Sequence, residues 1–190
     1  MSGAPTRSGG IACPEGSRTV ALALGSNLGD RGAHLARARA GISERYGPPA
    51  AVSRIYETDP VGGPPGQGPY LNQVLVLCAR ERAGRMIGRL LEIEAALGRR
   101  REERWAARTI DIDLLLEDGT VMETKDLVLP HPRLHERPFV LVPLAEVLPG
   151  WRHPLLGRTV AEMLLEQGRG GVREWSGERD AADGARRAQG

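Results

Sequence analysis

Two aspartates separated by one residue have the clearest capacity for chemistry in this sequence. Asp111 and Asp113 lie in a largely apolar run, residues 109–116, that predicts a β-strand. Side chains two apart on a strand point to the same side, so the two carboxylates share one face, about 7 Å apart. The other face carries Ile110, Ile112, Leu114 and Leu116. Such a carboxylate pair is suited to holding a divalent metal ion.

An arginine-rich segment precedes this strand. Five arginines lie between residues 99 and 108: Arg99, Arg100, Arg101, Arg104 and Arg108. Guanidinium groups bind phosphate oxygens through paired hydrogen bonds, so arginines beside metal-binding carboxylates predict phosphoryl transfer. The plainer interpretation is a solvated strand face next to a charged loop, and the aspartates alone do not decide between the two.

A tyrosine and an asparagine begin another predicted strand. Tyr70 and Asn72 are two residues apart, so an aromatic ring and an amide point toward one pocket, as binding of a flat heterocycle requires. Phe139 is the only phenylalanine in the chain and follows a segment rich in His and Arg, so it offers a second ring for stacking. The alternative is a strand edge whose polar groups are satisfied by the backbone.

The pattern of apolar and turn-forming residues predicts alternating helices and strands. In chain order we expect a strand at 19–24, a helix through Leu35, Ala38 and Ile42, a strand at 51–56, a loop at 58–69, a strand at 70–79, a helix from Met86 to Leu97 that ends at Gly98, and the aspartate strand. This order is typical of the split β-α-β arrangement. The predicted fold class is α+β, a ferredoxin-like α/β sandwich with a mainly antiparallel sheet and long catalytic loops at one end.

Shorter signals mark elements in the second half of the chain. A turn at 117–119 predicts that residues 120–122 pair back as a hairpin. Pro138 suits the first turn of a helix, and Thr159 with Glu162 has the spacing of a capping box.

Length and composition predict a single catalytic domain at residues 18–167 of the 190-residue chain. Residues 1–17 are rich in Gly, Pro and Ser and predict a flexible leader, and residues 168–190 predict a disordered tail.

Cys13 and Cys78 lie outside any Cys-x-x-Cys or Cys/His cluster, so we expect neither a disulfide nor a zinc site. With no apolar run of membrane-spanning length, these features predict a cytoplasmic protein without a membrane role. The net charge of +2 argues against general binding of nucleic acid.

Several short motifs follow one another in a specific order. They are Gly25-Ser26-Asn27, Tyr70-Leu71-Asn72, Gly98-Arg99, Arg104-Trp105, Arg108-Thr109-Ile110-Asp111-Ile112-Asp113, Pro130-His131-Pro132 and Arg137-Pro138-Phe139-Val140-Leu141. Together they closely resemble the 6-hydroxymethyl-7,8-dihydropterin pyrophosphokinase family of folate biosynthesis, from Val20 to about Leu165. The resemblance implies transfer of the β,γ-diphosphate of ATP to the hydroxymethyl group of the pterin, with release of AMP. It also implies two small-molecule substrates and leaves protein partners unknown.

The resemblance implies roles for individual residues. Asp111 and Asp113 would hold two Mg²⁺ ions that bridge the triphosphate, and the catalytic residues would be Arg99, Arg108 and Asp113. The pterin contacts would be Thr58, Pro60, Val61, Tyr70, Asn72, Trp105 and Phe139. The nucleotide contacts would be Glu94, Arg101, Arg104, Leu114, His131 and Arg137. The glycine-rich loop and the arginine loop would act as lids that exclude water.

Some positions fit the resemblance poorly. The arginine loop carries Glu102 and Glu103 where some relatives have another basic residue, and Leu91 stands where the family has a glutamine that contacts nucleotide. Strict alternation puts Arg108 on the face opposite Asp111, so its implied role requires that it precede the regular strand or curl around its edge. Asp59 occupies a position often taken by proline. Apart from the resemblance, Glu94 falls on a helix position where a carboxylate is typically a surface partner for arginine, and here it could orient a hydroxyl or an arginine.

Two other functions use some of the same features. A two-metal hydrolase of nucleic acid would employ the same carboxylates and arginines, but it needs a long basic track that the small net charge does not supply. A non-catalytic, ferredoxin-like RNA-binding module would need exposed aromatic residues on the central strands, which carry mostly Val, Leu and Ile.

Overall fold

The computed structural model describes residues 7–60, 66–99 and 108–177, and a β-sheet forms its centre. The elements in chain order are β1 (Arg7–Ser8), β2 (Ile11–Ala12), β3 (Arg18–Ser26), α1 (Arg31–Tyr46), β4 (Ala51–Val52), β5 (Tyr56–Thr58), β6 (Tyr70–Ala79), α2 (Ala83–Ala96), β7 (Asp111–Glu117), β8 (Met122–Glu123), β9 (Val128–Leu129), a 3₁₀ turn (Leu134–Glu136), α3 (Pro138–Val147), α4 (Val160–Gln167) and β10 (Val172–Glu174).

Within the described residues, six strands form the central sheet. Their spatial order is β10, β5, β6, β3 and β7, with β4 also paired to β6. Each of these pairings is antiparallel. Because β3, α1, β5, β6, α2 and β7 follow one another in the split β-α-β order, the predicted α+β fold class is confirmed.

Helices cover both faces of the sheet. α1 and α2 pack on one face, where residues such as Leu22, Leu24, Leu75, Leu77 and Leu90 form a first core. α3 and α4 lie on the other face, where residues such as Val74, Val76, Leu141, Leu144 and Trp151 form a second core. Burying a side chain of this size contributes ~1.5–3 kcal/mol. Strands buried on both faces have nearly continuous apolar sequences, as β6 does.

A β-bulge in β7 changes which side chains share a face. Leu22 pairs with Leu114 and Ala21 pairs with Leu116, so Leu115 is the extra residue. The first core holds three of the four apolar residues predicted to share a face, Ile110, Ile112 and Leu114. Leu116 lies in the second core with Leu115. The prediction for Leu116 is wrong because strict alternation does not continue through the bulge.

The predicted helix ends are confirmed. Pro138 is the first residue of α3. The Thr159 hydroxyl accepts a hydrogen bond from the Glu162 N–H at 3.2 Å, and the Glu162 carboxylate accepts one from the Thr159 N–H at 2.7 Å, which completes the capping box of α4. Gly98, which follows the C-cap residue Leu97 of α2, has a φ of +82°, the left-handed conformation that ends many helices.

A disulfide ties the N-terminal segment to the sheet. Cys13 is bonded to Cys78 in β6, and β1 pairs with β2 just before it. The prediction that the cysteines are unpaired is therefore wrong, and so is a flexible leader for residues 7–13. The sequence does not reveal the bond because its partners lie 65 positions apart and meet only in the folded chain. Unpaired cysteines would have supported a reducing compartment such as the cytoplasm, and the bond removes that support. Cytoplasmic location stays a prediction.

The C-terminal segment supplies an edge strand. β10 pairs with β5, and the half-buried Trp175 packs against the first core beside Gly32. The prediction of a disordered tail is therefore wrong for residues 172–175, whose charged composition suits an exposed edge.

β8 pairs with β9 rather than with β7, which corrects the predicted hairpin at 120–122. None of the helices in the described parts of the chain is long and apolar enough to cross a membrane.

The predicted strand at 51–56 is interrupted. Residues 53–55 lie between β4 and β5 opposite only residues 73–74 of β6, so one extra residue bulges outward. The Ser53 side chain compensates for the interrupted backbone pairing, because its hydroxyl accepts a hydrogen bond from the Val74 N–H at 2.9 Å. The pairing then resumes, and Thr58, which was predicted to begin the loop, is instead the last residue of β5.

Candidate active site

A cavity of about 290 Å³ opens at one end of the sheet, on the face covered by α3. Strands β3, β5, β6 and β7 form its floor, and the segment that leads into α3 forms a wall. The lining residues are Ala23, Leu24, Gly25, Thr58, Asp59, Tyr70, Asn72, Gln73, Val74, Arg108, Asp111, Asp113, His131, Arg137, Phe139 and Val140. Polar and aromatic groups from distant parts of the chain thus converge on one space.

The two aspartates of β7 line this cavity together. Gly25 of β3 lies directly opposite Asp111, and Ala23 lies opposite Asp113. These small residues leave room above the strands that larger side chains would fill. The prediction that the two carboxylates share a face is confirmed.

Two arginines hold the carboxylate of Asp111. Arg99 donates from Nη2 to Oδ1 at 2.8 Å, and Arg108 donates from Nη1 to Oδ2 at 2.5 Å. Arg108 precedes the first residue of β7, so strand alternation does not apply to it. Arg108 thus precedes the regular strand, as its implied role beside Asp111 requires.

Glu94 supports this arrangement from behind the strand. Its carboxylate is only 2% exposed, forms an ion pair with Arg99, and accepts a hydrogen bond from the Ile112 N–H at 2.6 Å. Burial raises the pKa of Glu94, while the bonds from Arg99 and Ile112 oppose that shift. The sequence predicted a carboxylate that could orient an arginine, and the ion pair with Arg99 agrees with this. The expected surface position is corrected, because the helical pattern does not show that Arg99 folds back over the helix end. Glu94 therefore contacts both a guanidinium group and the backbone between the two aspartates.

Asp113 differs from Asp111 in its electrostatic environment. Burial raises the pKa of Asp113 to about 6, and the negative charge of Asp111 acts in the same direction. The positive charges of Arg137 and Arg108 oppose the shift. A nearby cation would stabilise the ionised form of such a carboxyl group.

Aromatic and amide groups border the opposite side of the cavity. Asn72 donates from Nδ2 to the hydroxyl of Thr58 at 2.8 Å, and the Tyr70 hydroxyl contacts Oε1 of Gln67 at 3.2 Å. Phe139 lines the same cavity at the start of α3. The structure therefore brings together the two rings and the amide that the sequence singled out.

The connection between β9 and α3 supplies His131 and Arg137. The His131 N–H donates to the Leu115 carbonyl at 2.7 Å, and its Nδ1 accepts from the Arg133 N–H at 3.2 Å. Burial, assisted by the charge of Arg137, lowers the pKa of His131 to about 4, so the imidazole is neutral near pH 7. The guanidinium carbon of Arg137 lies 5.6 Å from the ring centre of Phe139, a cation–π arrangement.

Asn27 links the loops that border the cavity, and the sequence offered it only as part of the Gly25-Ser26-Asn27 motif, without a role. Its Oδ1 accepts from the Arg108 N–H at 2.7 Å, and its Nδ2 donates to Gln67 at 3.1 Å. The neighbouring Ser26 hydroxyl donates to the Thr109 carbonyl at 2.6 Å. Polar residues directly after a buried strand were the available signal, but their partners lie far away in sequence.

The residues implied by the resemblance fall into three groups. Those that line the cavity are Thr58, Tyr70, Asn72, Arg108, Asp111, Asp113, His131, Arg137 and Phe139. Those that do not line it are Pro60, Glu94, Arg99 and Leu114. The side chain of Leu114 instead lies in the first core. Val61, Arg101, Arg104 and Trp105 lie outside the described residues.

Some lining residues were not predicted as site residues. They are Ala23, Leu24, Gly25, Gln73, Val74 and Val140. Strand register gives a signal for several of them, because Ala23 and Gly25 lie opposite the aspartates and Val74 lies two residues beyond Asn72. That signal can be used only once the order of the strands is known.

Solved structures share this fold at low sequence identity. The crystal structure of Plasmodium falciparum HPPK-DHPS with pteroate matches with a TM-score of 0.67 and 13% identity, covering 83% of this chain and 46% of that longer chain. A structure titled "HPPK-DHPS in complex with substrates" matches with a TM-score of 0.61 and 14% identity, covering 79% of this chain and 43% of that one. This chain thus spans less than half of these proteins, and the likeness concerns the fold.

Sequence comparison is more specific. The chain is 43% identical over 127 residues to the 2-amino-4-hydroxy-6-hydroxymethyldihydropteridine pyrophosphokinase of Bacillus subtilis, covering 66% of this chain and 75% of the relative. It is 41% identical over 152 residues to the protein of the same name from Methylorubrum extorquens, covering 80% and 94%. The family model for 7,8-dihydro-6-hydroxymethylpterin-pyrophosphokinase (HPPK) matches residues 21–149. The chain belongs to this pyrophosphokinase family.

Proposed function

We propose that this chain transfers diphosphate from ATP to the hydroxymethyl group of 6-hydroxymethyl-7,8-dihydropterin, releases AMP, and holds both reactants in the cavity described above. The observation that carries the proposal is the meeting, in one cavity, of a carboxylate pair, the arginines Arg108 and Arg137, and an aromatic and amide wall. The reaction belongs to tetrahydrofolate biosynthesis, and the family names support it.

The aromatic and amide wall is suited to the pterin. Tyr70 and Phe139 offer ring faces for a flat bicyclic heterocycle. The hydrogen bond to Thr58 fixes the amide of Asn72, so that it meets the polar edge of the heterocycle in one orientation. A cavity of about 290 Å³ is at the small end of ligand sites, which suits one heterocycle and the phosphate chain that it receives. Pro60, Val61 and Trp105 complete this proposed pocket.

The carboxylate pair is suited to Mg²⁺. Mg²⁺ is typically held by one or two carboxylates and completes its coordination with water and substrate phosphates. Asp111 and Asp113 provide such a pair, and the described residues contain no group of three or more His, Cys, Asp or Glu that could enclose an ion. The raised pKa of Asp113 also indicates a site that favours added positive charge. Asp111 and Asp113 would hold Mg²⁺, which when bound would supply positive charge to neutralise the phosphates, and we propose two such ions with ATP.

The arginines are placed to bind the transferred group. Arg99 and Arg108 both contact Asp111, so a phosphate beside that carboxylate lies within reach of two guanidinium groups. Such groups stabilise the charge that builds up during phosphoryl transfer. Glu94 orients Arg99 and steadies the backbone between the two aspartates. Its proposed contribution to the nucleotide site is therefore indirect.

Binding of the nucleotide involves the wall on the α3 side. Arg137 supplies positive charge in the cavity, and the neutral His131 adds a ring that donates from Nε2, because Nδ1 accepts from Arg133. Arg101, Arg104 and the backbone of Leu114 complete the proposed nucleotide contacts. We also propose that the glycine-rich loop and the arginine loop close over both substrates, because water could otherwise accept the diphosphate.

An assay of products tests this proposal. Incubation with ATP, Mg²⁺ and hydroxymethyldihydropterin should give AMP and the pterin diphosphate in equal amounts, and no AMP should form without the pterin. Production of ADP alone would refute diphosphate transfer. AMP formation that does not require the pterin would refute the acceptor.

Neither of the two alternative functions gains support from an observation. The central strands β3 and β6 present buried aliphatic side chains along most of their length, whereas an RNA-binding sheet of this type exposes aromatic residues. A nuclease would need an extended basic surface, and the two carboxylates instead face a local pocket.

A further inference from the structure

Four charged residues form a continuous network at the base of the loop that separates β5 from β6. We call Arg31, Glu57, Asp59 and Arg173 the loop clamp. The clamp joins three separate parts of the chain: the start of α1, strand β5 with its following residue, and the C-terminal strand β10. None of these four residues belongs to the motifs that carry the family resemblance.

Glu57 lies at the centre of the clamp. Only 3% of its side chain is exposed, and its two carboxylate oxygens face different arginines. Oε1 lies 3.1 Å from Nη1 of Arg31, and Oε2 lies 3.8 Å from Nη2 of Arg173. A buried carboxylate needs such partners, because an uncompensated buried charge is strongly unfavourable.

Each arginine also holds one end of the loop. Arg31 donates from Nη1 to the carbonyl of Pro69, the last residue before β6, at 2.9 Å. Arg173 donates from Nη2 to Oδ1 of Asp59, the first residue after β5, at 3.2 Å. The two ends of the loop are therefore connected through a single buried glutamate.

Strand β10 is well placed to fix the position of Arg173. Arg173 pairs with Glu57, and Val172 pairs with Thr58. The Trp175 N–H donates to the Ile55 carbonyl at 3.0 Å, and its ring packs so closely on Gly32 that an added Cβ there would lie 2.8 Å from it. The C-terminal segment is thus anchored on both sides of Arg173.

The ends of the loop are part of the proposed pterin pocket. Thr58 and Asp59 line the cavity at one end, and Tyr70 lines it directly after Pro69 at the other. Thr58 also accepts the hydrogen bond from Asn72. A change in the separation of the loop ends would therefore move the groups on which the pterin rests.

We propose that Arg173 and Asp59 are positioning residues for the pterin, acting through the loop clamp rather than by contact with the reacting atoms. Arg173 lies beyond residues 21–149, which the family model matches, so the C-terminal strand adds to the site from outside the matched region. This inference rests on the proposed function, because it requires the pterin to occupy the wall formed by Tyr70 and Asn72.

Steady-state kinetics of Arg173→Gln and Asp59→Asn test the proposal. Exposed ion pairs contribute modestly, so each variant should raise the KM for the pterin about two- to fivefold. The kcat and the KM for ATP should stay unchanged. Arg173→Lys should recover most of the loss, and the double variant should raise the KM by less than the product of the single increases, because the two residues share one contact.

Glu174→Gln is the matched control. Glu174 lies on the same strand and also loses an ion pair, with Arg54 at 2.8 Å, but that pair is outside the clamp. Its pterin KM should equal that of the parent enzyme. Thermal unfolding of all variants verifies folding, and Asp59→Asn provides the test even where Arg173→Gln is poorly folded, because the Asp59 side chain is exposed.

Two further variants separate failure of the clamp from failure of the proposed function. Tyr70→Ala and Asn72→Ala should raise the pterin KM strongly where the pocket is assigned correctly. If they do so while Arg173→Gln and Asp59→Asn behave like Glu174→Gln, the clamp has no positioning role and the inference is wrong. If Tyr70→Ala and Asn72→Ala leave the pterin KM unchanged, the pocket itself is misplaced.

Discussion

Strands β6 and β7 each contribute to two very different regions on the face covered by α3 and α4. At the open end, β7 presents Asp111 and Asp113 and β6 presents Asn72, and these groups border a cavity. Farther along the same strands, Leu115 and Val76 pack into a dense core. Charged groups are therefore concentrated where the helix layer leaves the sheet uncovered, while the covered end stabilises the fold.

The largest expected effect is the loss of activity at the open end. Asp113→Asn should lower kcat about a thousandfold, or ~4 kcal/mol in transition-state stabilisation, because the variant lacks a carboxylate for Mg²⁺. Stability should stay equal or rise, since the substitution removes repulsion with Asp111. Turnover and thermal unfolding would be measured beside the exposed control Asp126→Asn, and a strong loss of stability would contradict the division into two regions.

The converse effect is expected at the covered end. Leu115→Ala should reduce the free energy of unfolding by about 2–5 kcal/mol, because it leaves a cavity in the second core. The kcat of the folded enzyme should be nearly unchanged. Denaturant unfolding would be compared with Leu165→Ala, whose side chain is 85% exposed and whose loss should have little effect. Equal destabilisation by the two variants would show that the covered end is not a packed core.

The disulfide should also affect stability and not chemistry. Replacing Cys13 and Cys78 together by Ala, or reducing the bond, should lower the free energy of unfolding by about 2–4 kcal/mol, because a long loop is then no longer closed in the unfolded chain. Denaturant unfolding with and without reductant measures this difference. Activity per folded molecule should not change, and a reductant-dependent kcat would connect the bond to the active site.

The effect expected to be smallest near neutral pH is that of His131, and it grows only as the solution is acidified. The pKa of His131 is lowered to about 4 in the folded protein, from an ordinary value near 6.5. Between these values the unfolded chain binds the proton that the folded chain excludes, so His131 makes stability fall as the pH decreases from about 6.5 to 4. In His131→Gln this decrease should be shallower. Unfolding at several pH values measures it, and identical slopes would show that the histidine is not held in its neutral form.

Local patterns were sufficient for a large part of the fold and for the chemical centre of the site. Apolar runs located β3, β6 and β7, and strand alternation placed Asp111 beside Asp113 and Tyr70 beside Asn72. Capping signals located the ends of three helices. These features depend on neighbours within a few residues, which a sequence displays directly.

The parts that could not be predicted depend on contacts between distant residues. Leu116 changes face because β3 and β7 pair through a bulge, and Cys13 meets Cys78 only after the N-terminal hairpin folds onto the sheet. Glu94 is buried because Arg99 turns back across it. Trp175 belongs to a segment whose composition suggests disorder, yet it finds an edge strand and a glycine on α1. Each outcome follows from tertiary packing, which overrides local propensity.

The most direct test of the central claim is a crystal structure of the protein with Mg²⁺, a non-hydrolysable ATP analogue and hydroxymethyldihydropterin. We expect the cation to be coordinated by Asp111 and Asp113 together with phosphate oxygens, and the pterin ring to lie between Tyr70 and Phe139 with its polar edge on Asn72. A cation bound away from the two aspartates, or a pterin outside this cavity, would contradict the account.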